Sequence, residues 1–492
     1  MASLVVVGAI TATWFFTGLR PGGDDDLNVA LGVVAVLYGT WAFLSHGHGR
    51  ITALGLFNFA FALFVGVGGI SEGLDPLART SAGYVSAAIT LALVVQLLVN
   101  QASWRKASSA EAETPGTPPI QGARLITRLG AAGIVAVFIA QRAGLPFADL
   151  GVVDAAVFAS VTLFAAGLIF REDTELASRR VLYALGAFVL YATVFHQGTG
   201  RLRLVALACV LGLLLTARFP YRGIKWAAVA VTPLAVWWLA QDRLDYQESL
   251  NPGASEGRTG LESMLSPIRL FGQIIEAIDV SALTPSWGTT FLSVPFAVVP
   301  EQLQPDWVPP ALGYQLVALV DAGRLGSGYS VVGTVYGEWY WNFGSLGLLL
   351  AVPVLSWLFI AVDSRFRRSL TDLASKPYAL VSLVFWAMLA GGIADLAWSG
   401  THTWAVRQLS RLPLLILLIA ILWFTNRPVR QPQLWNRDPK LLPSALRDRL
   451  AGEAHADASC GRARVRRGHP RLSPADTPHP RPVASPAASP RS

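Results

Sequence analysis

The stretch that decides the reading is Gly326-Ser-Gly328-Tyr-Ser330-Val-Val-Gly-Thr-Val-Tyr336-Gly-Glu338-Trp-Tyr340-Trp-Asn342-Phe343-Gly344-Ser345-Leu-Gly347. It is rich in glycine and aromatic residues, holds one carboxylate, and runs without a break into an apolar helix expected to start near Phe343. Polar residues in such a place sit where water meets bilayer. If Glu338–Gly347 is helical, Glu338 and Asn342 share a face with Ser345 just beyond, and Tyr336 and Tyr340 lie on a neighbouring stripe. A face of that kind can hold a polar ligand.

Working outward, the rest of the chain is apolar. Of 492 residues 53% are hydrophobic and only 14% charged, and the mean hydropathy is +0.47. That leaves too little polar surface to cover a water-soluble body, and long apolar runs recur throughout, which indicates a polytopic membrane protein. Taking about 17 to 25 residues per crossing, the runs fall at about twelve positions: 2–18, 27–45, 51–70, 81–100, 125–141, 150–170, 181–196, 203–217, 226–241, 343–362, 377–396 and 411–425. The expected fold is all-α, with residues 1–425 as the membrane domain. The opening Met-Ala-Ser-Leu-Val-Val-Val reads as the first crossing and not as a signal peptide, because no basic region precedes it.

The net charge of +8 raises nucleic acid as a partner, yet the basic residues sit in short turns and in the tail, where topology explains them better. With the N-terminus inside, short inner loops carry 15 Lys and Arg and short outer loops carry 7. Both ends are therefore expected in the cytoplasm. The linker at 101–122 is polar, and residues 426–492 read as a basic, Pro-rich, largely disordered tail attracted to anionic lipid. Two cysteines, Cys209 and Cys460, form no disulfide framework or zinc spacing.

One connection is long. Residues 242–342 are expected as an extracytoplasmic loop between the ninth and tenth crossings, and a loop of that length in a compact fold is usually functional. It holds amphipathic pieces at 261–280 and 311–322, the prolines Pro285, Pro295, Pro300, Pro305, Pro309 and Pro310, which favour turns, and Trp287, Trp307, Trp339 and Trp341, which suit an aromatic belt. No P-loop, GxGxxG, HExxH or GxSxG appears, so nothing points to a metal, a nucleotide or any other cofactor.

The outer side offers arginine instead: Arg201, Arg203, Arg258, Arg269, Arg324, Arg407 and Arg411. Guanidinium is a permanently charged fork suited to phosphate, although single arginines also snorkel to headgroups. Gly198-Thr-Gly-Arg201-Leu-Arg203 opens a helix whose N-terminus favours anions. Glu338 is either a surface carboxylate paired with a cation such as Arg324, or a general base with its pKa raised by partial desolvation. His196 stands at the outer end of the seventh run and His402 in the last outer loop, and each is either structural or in contact with substrate. Asp395 lies near the end of a crossing; it either caps the helix or marks function. Gly391-Gly392 suit close helix packing.

The pattern Gly328, Ser330, Glu338, Tyr340, Asn342, Phe343, Gly344 and Gly347 resembles the segment entering a late transmembrane helix in O-antigen and oligosaccharide repeat-unit polymerases of the Wzy type. The Gly- and Arg-containing turn at 198–203 is similar to the same family, and the resemblance in layout covers most of residues 130–425. It implies a metal-independent glycosyltransferase in the cytoplasmic membrane. Such an enzyme transfers growing glycan from polyprenyl pyrophosphate to a sugar hydroxyl of another lipid-linked repeat unit, alongside a flippase and a chain-length regulator. On that basis Glu338 would take the hydroxyl proton and Arg324 would stabilise the leaving group. Arg201, Arg203 and Arg258 would hold pyrophosphate, Tyr336, Tyr340, Trp339 and Trp341 would stack on sugar rings, and Asn342 and His196 would contact substrate. An O-antigen ligase shares the layout but predicts a histidine in the long loop, and 242–342 has none. A transporter or flippase of lipid-linked oligosaccharide predicts charges along several crossings, and these runs are nearly free of charge.

Overall fold

The computed structural model describes residues 9–10, 23–75, 82–107, 122–143, 151–171, 177–196, 202–250, 260–261, 265–296, 299, 303–310, 312–320, 323, 331–373, 375–376 and 378–425. Among them the protein is all helix, with no strand. In chain order the principal helices are α1 (Gly23–Ser45), α2 (Ala53–Leu74, with a π-helical stretch at Ala62–Val67), α3 (Ala82–Ala107), α4 (Ala123–Arg142), α5 (Gly151–Ile169), α6 (Ala177–Leu190, continued by a π-turn at Tyr191–Phe195) and α7 (Leu202–Arg218). They are followed by α8 (Arg222–Leu250), α9 (Pro267–Asp279), α10 (Val335–Asp372), α11 (Ala379–Ser399), α12 (Thr401–Leu409) and α13 (Pro413–Thr425).

Seven of these, α1 to α4, α8, α10 and α11, are long and apolar enough to cross a membrane. α12 and α13 together pass the same test as one pair bent by 47°. The runs at 150–170, 181–196 and 203–217 are helical as expected but shorter, and the run at 2–18 lies almost wholly outside the described residues. The tail 426–492 and the linker residues 108–121 also lie outside them.

Small residues let the helices approach. A methyl group on Gly39 would fall 2.6 Å from the Asn58 carbonyl, and one on Gly66 would fall 2.7 Å from the Val36 nitrogen, so α1 and α2 touch backbone to backbone. Gly391 lets α11 approach α7, where a Cβ would meet the Val210 side chain and lie 3.0 Å from the Ala206 carbonyl. Where lipid is the alternative neighbour for apolar side chains, such packing is the main source of helix association.

One set of polar side chains inside the bundle is mutually paired. Asn58 Nδ2 donates to Asn100 Oδ1 at 2.9 Å, while Asn100 Nδ2 and Gln96 Nε2 donate to Asn58 Oδ1 at 2.7 and 2.6 Å. Asn100 also donates to the Tyr38 hydroxyl at 2.8 Å, and the Tyr336 hydroxyl donates to Gln96 Oε1 at 2.6 Å. An uncharged network thus ties α1, α2, α3 and α10 together. At the start of α2, Thr52 caps the Gly55 amide at 3.0 Å and Asp363 of α10 accepts from the Ala53 amide at 2.7 Å. Those are donors that a helix N-terminus otherwise leaves unsatisfied.

α10 departs from expectation. Its helix begins at Val335, not near Phe343, and two residues inside it are non-helical: Phe343 (φ −140°) and Gly344 (φ +60°, ψ −146°). A straight helix would place Tyr336 and Phe359 about 34 Å apart, yet both rings flank Phe57, at 6.1 and 4.6 Å. A Cβ on Gly347 would lie 2.0 Å from the Trp339 carbonyl, eight residues back. The first arm, 335–342, is therefore folded back along the second, 345–372. Gly344 supplies the backbone conformation that other residues resist, and Gly347 supplies the room.

Candidate functional site

The fold-back brings Glu338 inside. Thr334 caps the first arm, its hydroxyl accepting from the Gly337 amide at 3.1 Å, and one turn on Glu338 is fully buried. Its Oε2 accepts from the Thr401 amide at 2.6 Å, at the N-terminus of α12, where the helix dipole favours negative charge. Gly400 makes that approach feasible: it has φ +84°, and a Cβ there would stand 2.7 Å from Oε2. The second oxygen, Oε1, is buried and finds no hydrogen-bond partner among the described residues. One oxygen of this buried carboxyl is thus held by an amide, while the other lacks the partner that buried polar atoms normally have.

Asn342, one turn after Glu338, locks the elbow. Its Nδ2 donates to Thr290 Oγ1 at 2.6 Å and to the Glu338 carbonyl at 2.7 Å, and its Oδ1 accepts from Ser286 Oγ at 2.7 Å. The break at Phe343 frees the last carbonyls of the first arm. Trp341 O and Asn342 O accept instead from the Ser286 and Trp287 amides, each at 3.0 Å. The same segment reaches α12, where Ser293 Oγ and His402 Nδ1 are 2.8 Å apart. Phe291 closes the corner against Trp339 at 4.8 Å and Phe343 at 6.3 Å. Residues 284–293 are thus a strap over the α10 elbow and the α11–α12 junction.

On α11 and α12 the buried carboxylate of Asp395 pairs with Arg407 Nη1 and accepts from Gln408 Nε2 at 3.3 Å. A second pair joins Arg203 of α7 to Asp154 of α5, which also accepts from the Tyr191 hydroxyl at 3.2 Å.

Of the residues proposed from sequence, the structure brings Glu338 and Asn342 together as that spacing requires. Tyr336 does not present a stacking face: it is 1% exposed, with its ring against Phe57 and Phe61 and its hydroxyl on Gln96, so its role corrects to fixing the first arm of α10. Trp341 is likewise buried and donates to the Thr284 carbonyl at 3.1 Å. Tyr340 is partly exposed, with its ring edge-on to Phe271 at 5.8 Å. His196 ends the π-turn after α6, its amide donating to Tyr191 O at 3.0 Å. Arg203 is described and paired, whereas Arg201, Arg258 and Arg324 lie outside the described residues.

Sequence reasoning missed Gly400, Thr401, Thr290 and Ser286. The signal for the first two was Ser399-Gly400-Thr401 after an apolar run, a helix restart whose free amide needs an acceptor. Thr290 and Ser286 carried none, since their partner stands more than fifty residues away. Among the described residues no three of His, Cys, Asp and Glu converge as metal ligands would. No family model, curated protein or solved structure matches the chain.

Proposed function

We propose that the chain is a membrane glycosyltransferase that polymerises polyprenyl-pyrophosphate-linked oligosaccharide repeat units into a surface polysaccharide on the outer face of the cytoplasmic membrane. The observation that carries this reading is Glu338: a fully buried carboxyl, held at one oxygen by the Thr401 amide and open at the other, at the elbow of a helix folded back into the bundle. In the reaction the acceptor hydroxyl oxygen bonds to the anomeric carbon of the donor glycan. The bond from that carbon to the pyrophosphate oxygen breaks, its electron pair leaves with the lipid pyrophosphate, and the hydroxyl proton passes to Glu338 Oε1.

Arg201, Arg203, Arg258 and Arg324 are the guanidinium groups assigned to the pyrophosphate, of which Arg203 already shares its charge with Asp154. Tyr340 and Trp339, both partly exposed, offer ring faces to sugar in place of Tyr336. In this reading α5, α6 with its π-turn, α7 and the run at 2–18 complete twelve crossings, both termini are cytoplasmic, and residues 242–342 face outward. A flippase would deliver the substrate and a chain-length regulator would act beside the enzyme.

Deleting the gene from a producing strain tests this directly. Loss of a polymerase leaves single repeat units on the cell surface. Complete loss of surface sugar would instead indicate flipping or ligation, and an unchanged long-chain glycan would remove the proposal.

A further inference from the structure

Among the described residues, three arginines and two carboxylates meet where α5, α7, α11 and α12 converge, and their charges do not balance. Arg411, in the turn between α12 and α13, is 4% exposed, with its Cζ 4.1 Å from the centroid of the Phe158 ring. Asp395, Arg407 and Arg203 are the charged groups in its neighbourhood, together with the neutral Tyr191 hydroxyl. Both carboxylates of that neighbourhood are already engaged: Asp395 by Arg407 and Gln408, Asp154 by Arg203 and the Tyr191 hydroxyl. Arg411 Nη1 is buried with no hydrogen-bond partner among the described residues, and the neighbouring Gln408 Oε1 is likewise buried and unpaired. A guanidinium does not shed its proton in a protein, so burial leaves it dependent on an anion from elsewhere.

We propose that Arg411 is the seat of a phosphoryl oxyanion, with Arg203 and Arg407 as flanking positive charges and the Phe158 ring closing one side. Phosphoryl fits better than a single-point anion because it has several acceptor oxygens and matches the planar guanidinium fork bidentately. The phosphoryl group can come from a membrane lipid or from free phosphate. The assignment rests on the charge balance at Arg411; it shares Arg203 with the pyrophosphate arginines of the polymerase reading but does not depend on glycan transfer.

The test uses the full-length protein in phosphatidylcholine nanodiscs, with melting temperature as readout. It is titrated with inorganic pyrophosphate and with farnesyl diphosphate, and compared with discs containing phosphatidylglycerol. The wild type is expected to be stabilised by at least one of the three, and the responding probe tells a lipid phosphate from a free one. Arg411→Met should lose that response while melting, without ligand, at or above the wild-type temperature, because an uncompensated buried charge is gone; a purely structural arginine would lower it. Should Arg411→Met fail to fold, Arg411→Lys keeps the charge without the fork and should bind at least tenfold more weakly. A wild type indifferent to all three probes, or either variant responding like wild type, overturns the assignment.

Discussion

Glu338 and Gly400 show how little room the site allows. The positive φ of Gly400 and the 2.7 Å between its would-be Cβ and Glu338 Oε2 mean that Gly400→Ala strains the backbone and pushes the carboxylate off the Thr401 amide. A loss of roughly 2 kcal/mol or more is expected, read as a lower melting temperature. Glu338 was legible in the sequence as the one acid of its stretch, but its burial was not, because the partner that encloses it comes from residues 400–401. His46 gives a pH-dependent counterpart outside the helices. Burial first, then the charges of Lys225, Arg367 and His48, lowers its pKa to about 4. Above the unfolded value of about 6.5 the ring is neutral in both states and its contribution is fully present. As pH falls from there towards 4 the unfolded chain takes up a proton that the fold resists, so stability is lost, on the order of 3 kcal/mol in all. Melting curves at pH 7, 6 and 5 should show this decline, and His46→Asn, which retains an acceptor or donor towards Thr52, should flatten it.

At the scale of the element, the α10 fold-back is the feature that sequence periodicity could not reveal. Glu338 and Asn342 are four apart whether the helix runs on or doubles back, and only the long-range contacts of Tyr336 and Gly347 distinguish the two. Length carried one hint: Val335–Asp372 as a straight rod would be about 57 Å long, against a hydrocarbon core of about 30 Å. Gly347→Ala should therefore disrupt the protein more than a helix-interior Gly→Ala normally would, since its methyl group collides with the Trp339 carbonyl. Loss of folded protein from detergent extracts is the expected outcome. The amide network that anchors the same arm gives a graded series. Asn58→Leu strands Gln96 Nε2 and Asn100 Oδ1 and leaves Asn100 Nδ2 with only the Tyr38 hydroxyl, at about 1–3 kcal/mol, whereas Tyr336→Phe removes one hydroxyl at about 0.5–1.5 kcal/mol. The reverse order in thermal melts would mean that α10 is not held through Gln96.

Across the whole molecule, the helices were legible because apolar runs of sufficient length have few other uses, and residues 242–342 were expected as one long connection. What could not be read was the pairing across it. Asp395 and Arg407 were each conspicuous, but the Gly400 turn that makes them partners leaves no trace in spacing. The strap of residues 284–293 reads as loop until Asn342 gives it an anchor. The proposed topology places residues 303–310 outside, and Leu303 is 73% exposed. Leu303→Cys, in a background lacking Cys209 and Cys460, should be labelled in intact cells by a membrane-impermeant maleimide. The central claim is that the buried Glu338 carboxyl serves glycan transfer, and it is tested most directly by replacing Glu338 with Gln in the producing strain and resolving the surface glycan by chain length. The predicted result is single repeat units at wild-type protein abundance; a wild-type ladder of long chains would contradict it.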